Sequence, residues 1–182
     1  DRSPYTMECN PQFVKVDLEQ VTIHSTAILP FSISQQFEYQ SKVSPLTIDS
    51  RLLQTVFSDI PMVIKEADVI HTPKYYAYSN WTMLLPQFSK TFRGKKIPVL
   101  VVNNITKGAI EIEAWRYLVH KTSTAFHRKQ IIPGTLELLA NCPDKVLQKL
   151  LPAEAKSFVE KVSLVTGESI DAIRYAQKKL RS

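Results

Sequence analysis

Glu111 and Glu113, His120 and His127, and a dense set of cations around them are the residues whose types and spacing suit chemistry on a phosphate ester. Nine basic residues fall within 89–129: Lys90, Arg93, Lys95, Lys96, Lys107, Arg116, Lys121, Arg128 and Lys129. Against the two acids this is a formal excess of seven, while the whole chain carries only +6. The surplus is therefore local and the remainder near neutral. Phe92, Trp115, Tyr117 and Phe126 lie among the cations. A positive field with interleaved rings suits a polyanion better than a neutral metabolite.

Each group has a chemical role and a competing structural one. Glu111 and Glu113 are two apart; on a strand they share a face and, beside cations, could hold a divalent metal such as Mg for phosphodiester hydrolysis. On a helix they diverge, and acids in a first turn simply complement the macrodipole. His120 and His127, read as seven apart on one helix, fall on one side, where either could move a proton near neutral pH. Their alternative is an ordinary surface position. Arg93, Lys95 and Lys96 surround Gly94 in a turn and, with Arg116, Lys121, Arg128 and Lys129, are the cations expected to position DNA phosphate. A turn kept soluble by lysine looks the same. Tyr75, Tyr76, Tyr78 and Trp81 are either core or stacking rings, since alternate rings of a strand face opposite ways.

The elements that must carry these groups read as follows. Val14, Val16 and Leu18 alternate with Lys15, Asp17 and Glu19, the mark of a half-buried strand. A long connection is expected through Pro30 and Phe31 to Ser44. Leu52, Leu53, Val56 and Phe57 make one helix face. Short strands are expected at 62–64 and 75–78, then a helix capped by Ser79 or Asn80, kinked or restarted at Pro86 and ended by Gly94. The apolar run 97–102 predicts a strand buried on both faces. Ile112, Trp115, Leu118, Val119 and Phe126 predict a long helix. From Pro133 onward the pattern is helical, with Pro143 and Pro152 in first turns and a break at Gly167. This order implies a mixed α/β fold with an α+β tendency, a core over 13–129 and an all-helical tail over 130–182.

Within that tail, two amphipathic segments flank Thr166-Gly167-Glu168-Ser169, and Lys178, Lys179 and Arg181 gather near the end. The spacing resembles a helix-turn-helix, with glycine at the turn and a basic second helix; any packing hairpin shares it.

An apolar fraction of 44% and a charged fraction of 22% are those of a chain that buries a core. No apolar run is long enough to span a bilayer. Cys9 and Cys142 lack partners at metal-ligand spacing, which argues against zinc and a disulfide framework and for a reducing cytosol. The chain opens on Asp1, so a trimmed or processed product is expected.

The order of pieces VKVDLEQV, RLLQTVFSDIPMVI, YYAYSN and KKIPVLVV resembles the ParB/sulfiredoxin superfamily over about residues 13–128. That superfamily closes a strand with a phosphate-binding Gly-Glu-Arg-Arg loop. Here the matching positions are Asn80-Trp81-Thr82-Met83, which lack the glycine, the carboxylate and both arginines. The resemblance therefore implies a nucleotide site built otherwise, from Ser79, Asn80 and Thr82 with backbone N–H groups at a helix start. No cysteine stands near that loop, which disfavours sulfiredoxin-type redox repair. Size, degeneracy and the helical tail are most similar to plasmid fertility-inhibition proteins of the Osa (oncogenic suppressive activity) type. Such a resemblance implies ATP hydrolysis and metal-dependent DNA cleavage in a bacterial cytosol. The target would be DNA entering a type IV secretion channel, with secretion components as further partners and the inner face of the membrane as a place of action. Two alternatives remain open: a non-enzymatic DNA-binding adaptor or repressor of the plasmid-partition type, and a protein-interaction inhibitor of a secretion channel.

Overall fold

The computed structural model describes residues 11–37, 59–66, 72–124 and 127–181. The helix expected over 52–57, Cys9 and Phe126 lie outside them. Contacts divide the chain into two units, 1–28 with 43–113 and 29–42 with 114–182.

The first unit is built on five strands: β1 (Gln12–Asp17), β2 (Val21–Ile23), β3 (Met62–Lys65), β4 (Tyr75–Ser79) and β5 (Lys96–Val101). They form one sheet in the order β1-β5-β3-β4-β2. Pairing is mixed: β1–β5 and β3–β4 are antiparallel, β3–β5 and β2–β4 parallel. The alternation in β1 is realised, since Val16 is buried between exposed Lys15 and Asp17. β5 differs from expectation. Ile97, Val99 and Val101 are buried, but Pro98 and Leu100 are only half-buried, so one face is closed and the other partly covered.

Pro98 inside a strand paired on both sides has a specific reason. The Leu100 and Val102 N–H groups donate toward β3, to the Pro61 and Val63 carbonyls, each at 2.9 Å. Alternation puts the position of the missing Pro98 N–H on that same side, one step before the β3 pairing, which covers only Leu100 and Val101. The proline thus removes no ladder bond. Val16, Val21, Val63, Ala77, Met83, Phe92, Ile97 and Val99 are among the buried residues of the core on this sheet.

Three local expectations are corrected. Val21–Ile23, expected within the connection, pairs with β4, as a run too short for its period to register. The connection through Pro30 contains a helix, α1 (Ile28–Ser34). It follows a single helical turn at Ser25–Ala27, whose start is capped by the His24 side chain. Pro30 fits there because a first-turn residue needs no N–H partner. After β4 no helix begins at Asn80. Asn80 takes a left-handed φ of 55°, a tight turn covers Thr82–Leu84, and α2 (Pro86–Phe92) starts at Pro86. The proline restarts the helix rather than kinking it. Gly94, at φ 70°, follows its end as expected.

The helix α3 (Lys107–Thr124) carries Lys107–Glu113 of the first unit and Ala114–Thr124 of the second. Its buried residues are Ile110, Ala114, Trp115, Tyr117, Leu118 and Thr122; Ile112 and Val119, expected on the inner face, sit half-buried at its flank.

The second unit continues with α4 (Ile131–Asn141), α5 (Asp144–Leu150), α6 (Phe158–Thr166) and α7 (Ile170–Arg181). Helix α4 packs on α6 and on α7, and α6 packs on α7. Leu138, Leu139, Val162 and Ile173 are at most 2% exposed. Pro143 is the residue before α5, whereas Pro152, expected in a first turn, lies in the turn after it. Its carbonyl accepts the Ala155 N–H there.

Candidate nucleic-acid interface

The second unit presents the α6–α7 hairpin, and its turn is held by a closed set of hydrogen bonds. Ser157 and Glu160 form a reciprocal capping box at the start of α6, with the Ser157 N–H donating to Glu160 Oε2 at 2.8 Å and the Glu160 N–H donating to Ser157 Oγ at 3.2 Å. The Ser157 N–H draws the Glu160 carboxyl below its usual range. At the other end Gly167 adopts φ 71°, the left-handed conformation that stops a helix, and donates to the Ser163 carbonyl at 2.8 Å. Ser163 Oγ donates to the Glu168 carbonyl at 2.8 Å, and the Glu168 N–H donates to Thr166 Oγ1 at 3.2 Å. Ser169 Oγ then accepts the Ala172 N–H, capping α7.

That closure fixes which side of α7 faces out. Ile173 is fully buried, while Asp171, Arg174, Tyr175, Lys178, Lys179 and Arg181 are exposed. At about 100° per residue, Arg174, Tyr175 and Lys178 lie on one exposed side together with Asp171. Tyr175 is 71% exposed, far more than a core ring. Asp171 and Arg174 form an exposed i, i+3 ion pair at 3.9 Å, worth roughly 0–1 kcal/mol. A ligand can therefore break that pair cheaply. Arg174 and Tyr175 were not singled out from the sequence; the signal was present in their spacing with Asp171 and Lys178, at i, i+3, i+4 and i+7 of one helix side.

The basic stretch 89–129 divides between the units. Lys90, Arg93, Lys95, Lys96 and Lys107 belong to the first; Arg116, Lys121, Arg128 and Lys129 belong to the second. Arg93, Lys95 and Lys96 are all exposed in the turn between α2 and β5. This turn is fastened to the β1–β2 connection, since the Leu18 N–H donates to the Lys95 carbonyl at 3.2 Å. Glu19 Oε1 accepts the Gly94 N–H at 2.9 Å. That bond, with Arg93 nearby, holds the Glu19 carboxyl below its ordinary pKa. Glu19 is a member of this cluster that sequence reasoning missed, because it lies 75 residues away in the chain. Arg116 is exposed on α3, and the Lys121 ammonium stands 5.5 Å from the Tyr117 ring centroid, a cation–π distance. Arg128 and Lys129 are exposed in a separate turn, Arg128–Gln130.

The remaining candidates are placed as follows. Glu111 and Glu113 are on α3, not on a strand, so about 200° separates them around the helix and they do not share a face. Among the described residues no group of three or more His, Cys, Asp or Glu side chains could hold a metal. His120 and His127 do not share a helix. α3 ends at Thr124, and His127 precedes the next turn, its Nδ1 accepting the Lys129 N–H at 3.3 Å. The His120 carbonyl accepts from the Ser123 and Thr124 hydroxyls, each at 2.9 Å, in the last turn of α3.

Ser79, Asn80 and Thr82 lie within four residues at the end of β4, but the Ser79 and Thr82 hydroxyls face inward. Ser79 is 4% and Thr82 5% exposed. Thr82 Oγ1 donates to Asp59 Oδ2 at 2.6 Å, and Ser79 Oγ points to Asn80 Oδ1 at 3.5 Å. A phosphate at Thr82 would have to compete with a carboxylate. Of the neighbouring rings, Tyr75, Tyr78 and Trp81 are core; Tyr76 is half-buried, edge-on to His24 with centroids 6.4 Å apart. Burial, and then Lys107, holds the His24 pKa below its ordinary value.

Compared with known proteins, the chain matches no family model, no curated protein and no solved structure. Among the described residues no helix is long and apolar enough to cross a membrane.

Proposed function

We propose that this chain is a non-enzymatic DNA-binding protein, an adaptor or repressor, that places α7 against a duplex. In this reading the α/β unit is a ParB/sulfiredoxin-like fold whose loop has lost its catalytic residues. The observation that carries it is the α6–α7 hairpin: a left-handed glycine turn, fully buried anchors at Val162 on α6 and Ile173 on α7, and an outer side of cations and an exposed tyrosine. A helix presented this way fits the major groove, where Arg reads guanine edges and lysines near the end meet phosphate. The exposed cations Arg93, Lys95, Lys96, Arg116, Arg128 and Lys129 add phosphate contacts that set affinity without sequence information.

The enzymatic variant, ATP-driven and Mg-dependent cleavage acting against type IV secretion, receives less support from the geometry. It needs Glu111 and Glu113 side by side, and His120 or His127 beside them. The helical placement separates the two acids, and the two histidines stand on different elements.

The test is fluorescence anisotropy with a labelled 20-base-pair duplex at several salt concentrations, beside a plasmid incubation with Mg and ATP. We expect retarded, uncut DNA. Lys178→Ala with Lys179→Ala should flatten the log–log salt slope by about 1 per lost phosphate contact. Absence of binding at low salt, or an unchanged slope in that variant, would remove the hairpin from the account. Mg-dependent nicking would restore the nuclease.

A further inference from the structure

We infer that the turn between α2 and β5 is a phosphate site that the chain's own Glu19 carboxylate occupies in the free protein. The inference rests on the DNA-binding reading and adds to it a second, self-blocked contact in the first unit.

Two features define the site. A backbone donor is aimed at an acid: the Gly94 N–H reaches Glu19 Oε1 at 2.9 Å, and that bond, then the positive charge of Arg93, holds the carboxyl below its ordinary pKa. Lys95 and Lys96 flank the turn and are exposed. A backbone N–H, a guanidinium and two ammonium groups make a donor set for an oxyanion, and a carboxylate is the nearest side-chain analogue of a phosphate diester. Second, the turn keeps its shape when Glu19 leaves. Lys95 N–H donates to the Phe92 carbonyl at 2.9 Å, Lys95 carbonyl accepts from Leu18, and Lys96 pairs with Asp17 in the sheet. None of these bonds involves the Glu19 side chain.

Space is also present. Gly94 is exposed, and a methyl group built on its Cα would meet nothing within 4 Å beyond its chain neighbours, so the turn stands open to solvent and only the Glu19 carboxylate covers the N–H. Glu19 itself is exposed, and charge interactions at an exposed position contribute little net stability. Exchange of one carboxylate for one phosphate oxygen therefore costs little, and the negative charge displaced from the turn sets the affinity.

The experiment uses the full chain and the same labelled duplex, with circular dichroism confirming that each variant folds. Glu19→Gln should bind about 3–10-fold more tightly at constant salt, with a slope steeper by about 0.9, the value of one added phosphate contact. Glu19→Ala should do the same. The gain must depend on the site: adding Arg93→Ala to Glu19→Gln should abolish it, whereas Lys178→Ala with Lys179→Ala should weaken both backgrounds equally. A duplex bound equally by wild type and Glu19→Gln overturns the site and leaves the DNA reading standing. A gain that survives Arg93→Ala also overturns it, as a general field effect. If neither protein binds at low salt, the DNA reading falls and takes this site with it.

Discussion

Gly134 in α4 lies against Phe37, and replacing it with alanine sets two opposing effects against each other. A Cβ at position 134 would stand 2.5 Å from Phe37 Cε1 and 2.9 Å from Cζ. Ordinary contact begins near 3.4 Å, so the ring must move by roughly 1 Å. Both residues are buried, Phe37 at 8% exposed, which leaves the ring little room. Alanine gains about 1 kcal/mol of helix propensity over glycine. Overpacking a buried site costs about 1–3 kcal/mol. Gly134→Ala should therefore destabilise by about 0–2 kcal/mol instead of stabilising. Removing the ring reverses the sign: in a Phe37→Ala background, itself about 3–5 kcal/mol less stable, Gly134→Ala should stabilise by about 1 kcal/mol. Urea unfolding of the four proteins in the cycle gives the coupling. Phe37→Leu is the milder partner if Phe37→Ala fails to fold. Were Gly134→Ala to stabilise both backgrounds by the same 1 kcal/mol, the close packing of residue 37 on α4 would be refuted.

Two further outcomes test other links. Gly167→Ala forces a β-carbon into the left-handed region and should lower stability by about 1–2 kcal/mol, with DNA affinity falling as α7 loses its fixed direction; an unchanged urea midpoint would show that the turn does not need glycine. Glu19 and Glu160 both have depressed carboxyl pKa values in the folded chain, so what they contribute is present above the ordinary carboxylate range and is lost as pH falls through the folded values. Replacing both by Gln should make the acid-induced drop in urea midpoint shallower between pH 5 and 3, and an identical drop would place the acid sensitivity elsewhere.

If α7 reads a duplex and the α2–β5 turn holds phosphate, the two contacts differ in kind. The hairpin is already presented in the free chain, its buried anchors and capped turn holding the direction of α7. The turn is conditional, since a ligand must first displace Glu19. Binding would then be standing at one site and gated at the other, and the separate salt slopes of the variants above measure each.

Much of this was legible in the chain itself, because local signals need only a few neighbouring residues. The period-2 pattern marked β1, the apolar run marked β5, and glycines at 94 and 167 marked turns that only a left-handed φ completes. The charge surplus of 89–129 and the hairpin spacing of the C-terminal helices were equally plain. Tertiary structure alone decided the rest. β2 is a strand only because β4 lies beside it, and Pro98 is tolerated only because β3 pairs too late to need its N–H. Helix formation at Lys107–Thr124 set Glu111 and Glu113 apart, and the end of that helix put His127 on another element. Glu19 met Gly94 across 75 residues, a contact that no local pattern encodes. Propensity acts between neighbours; pairing, and the company a charge keeps, is settled only when distant segments close on one another.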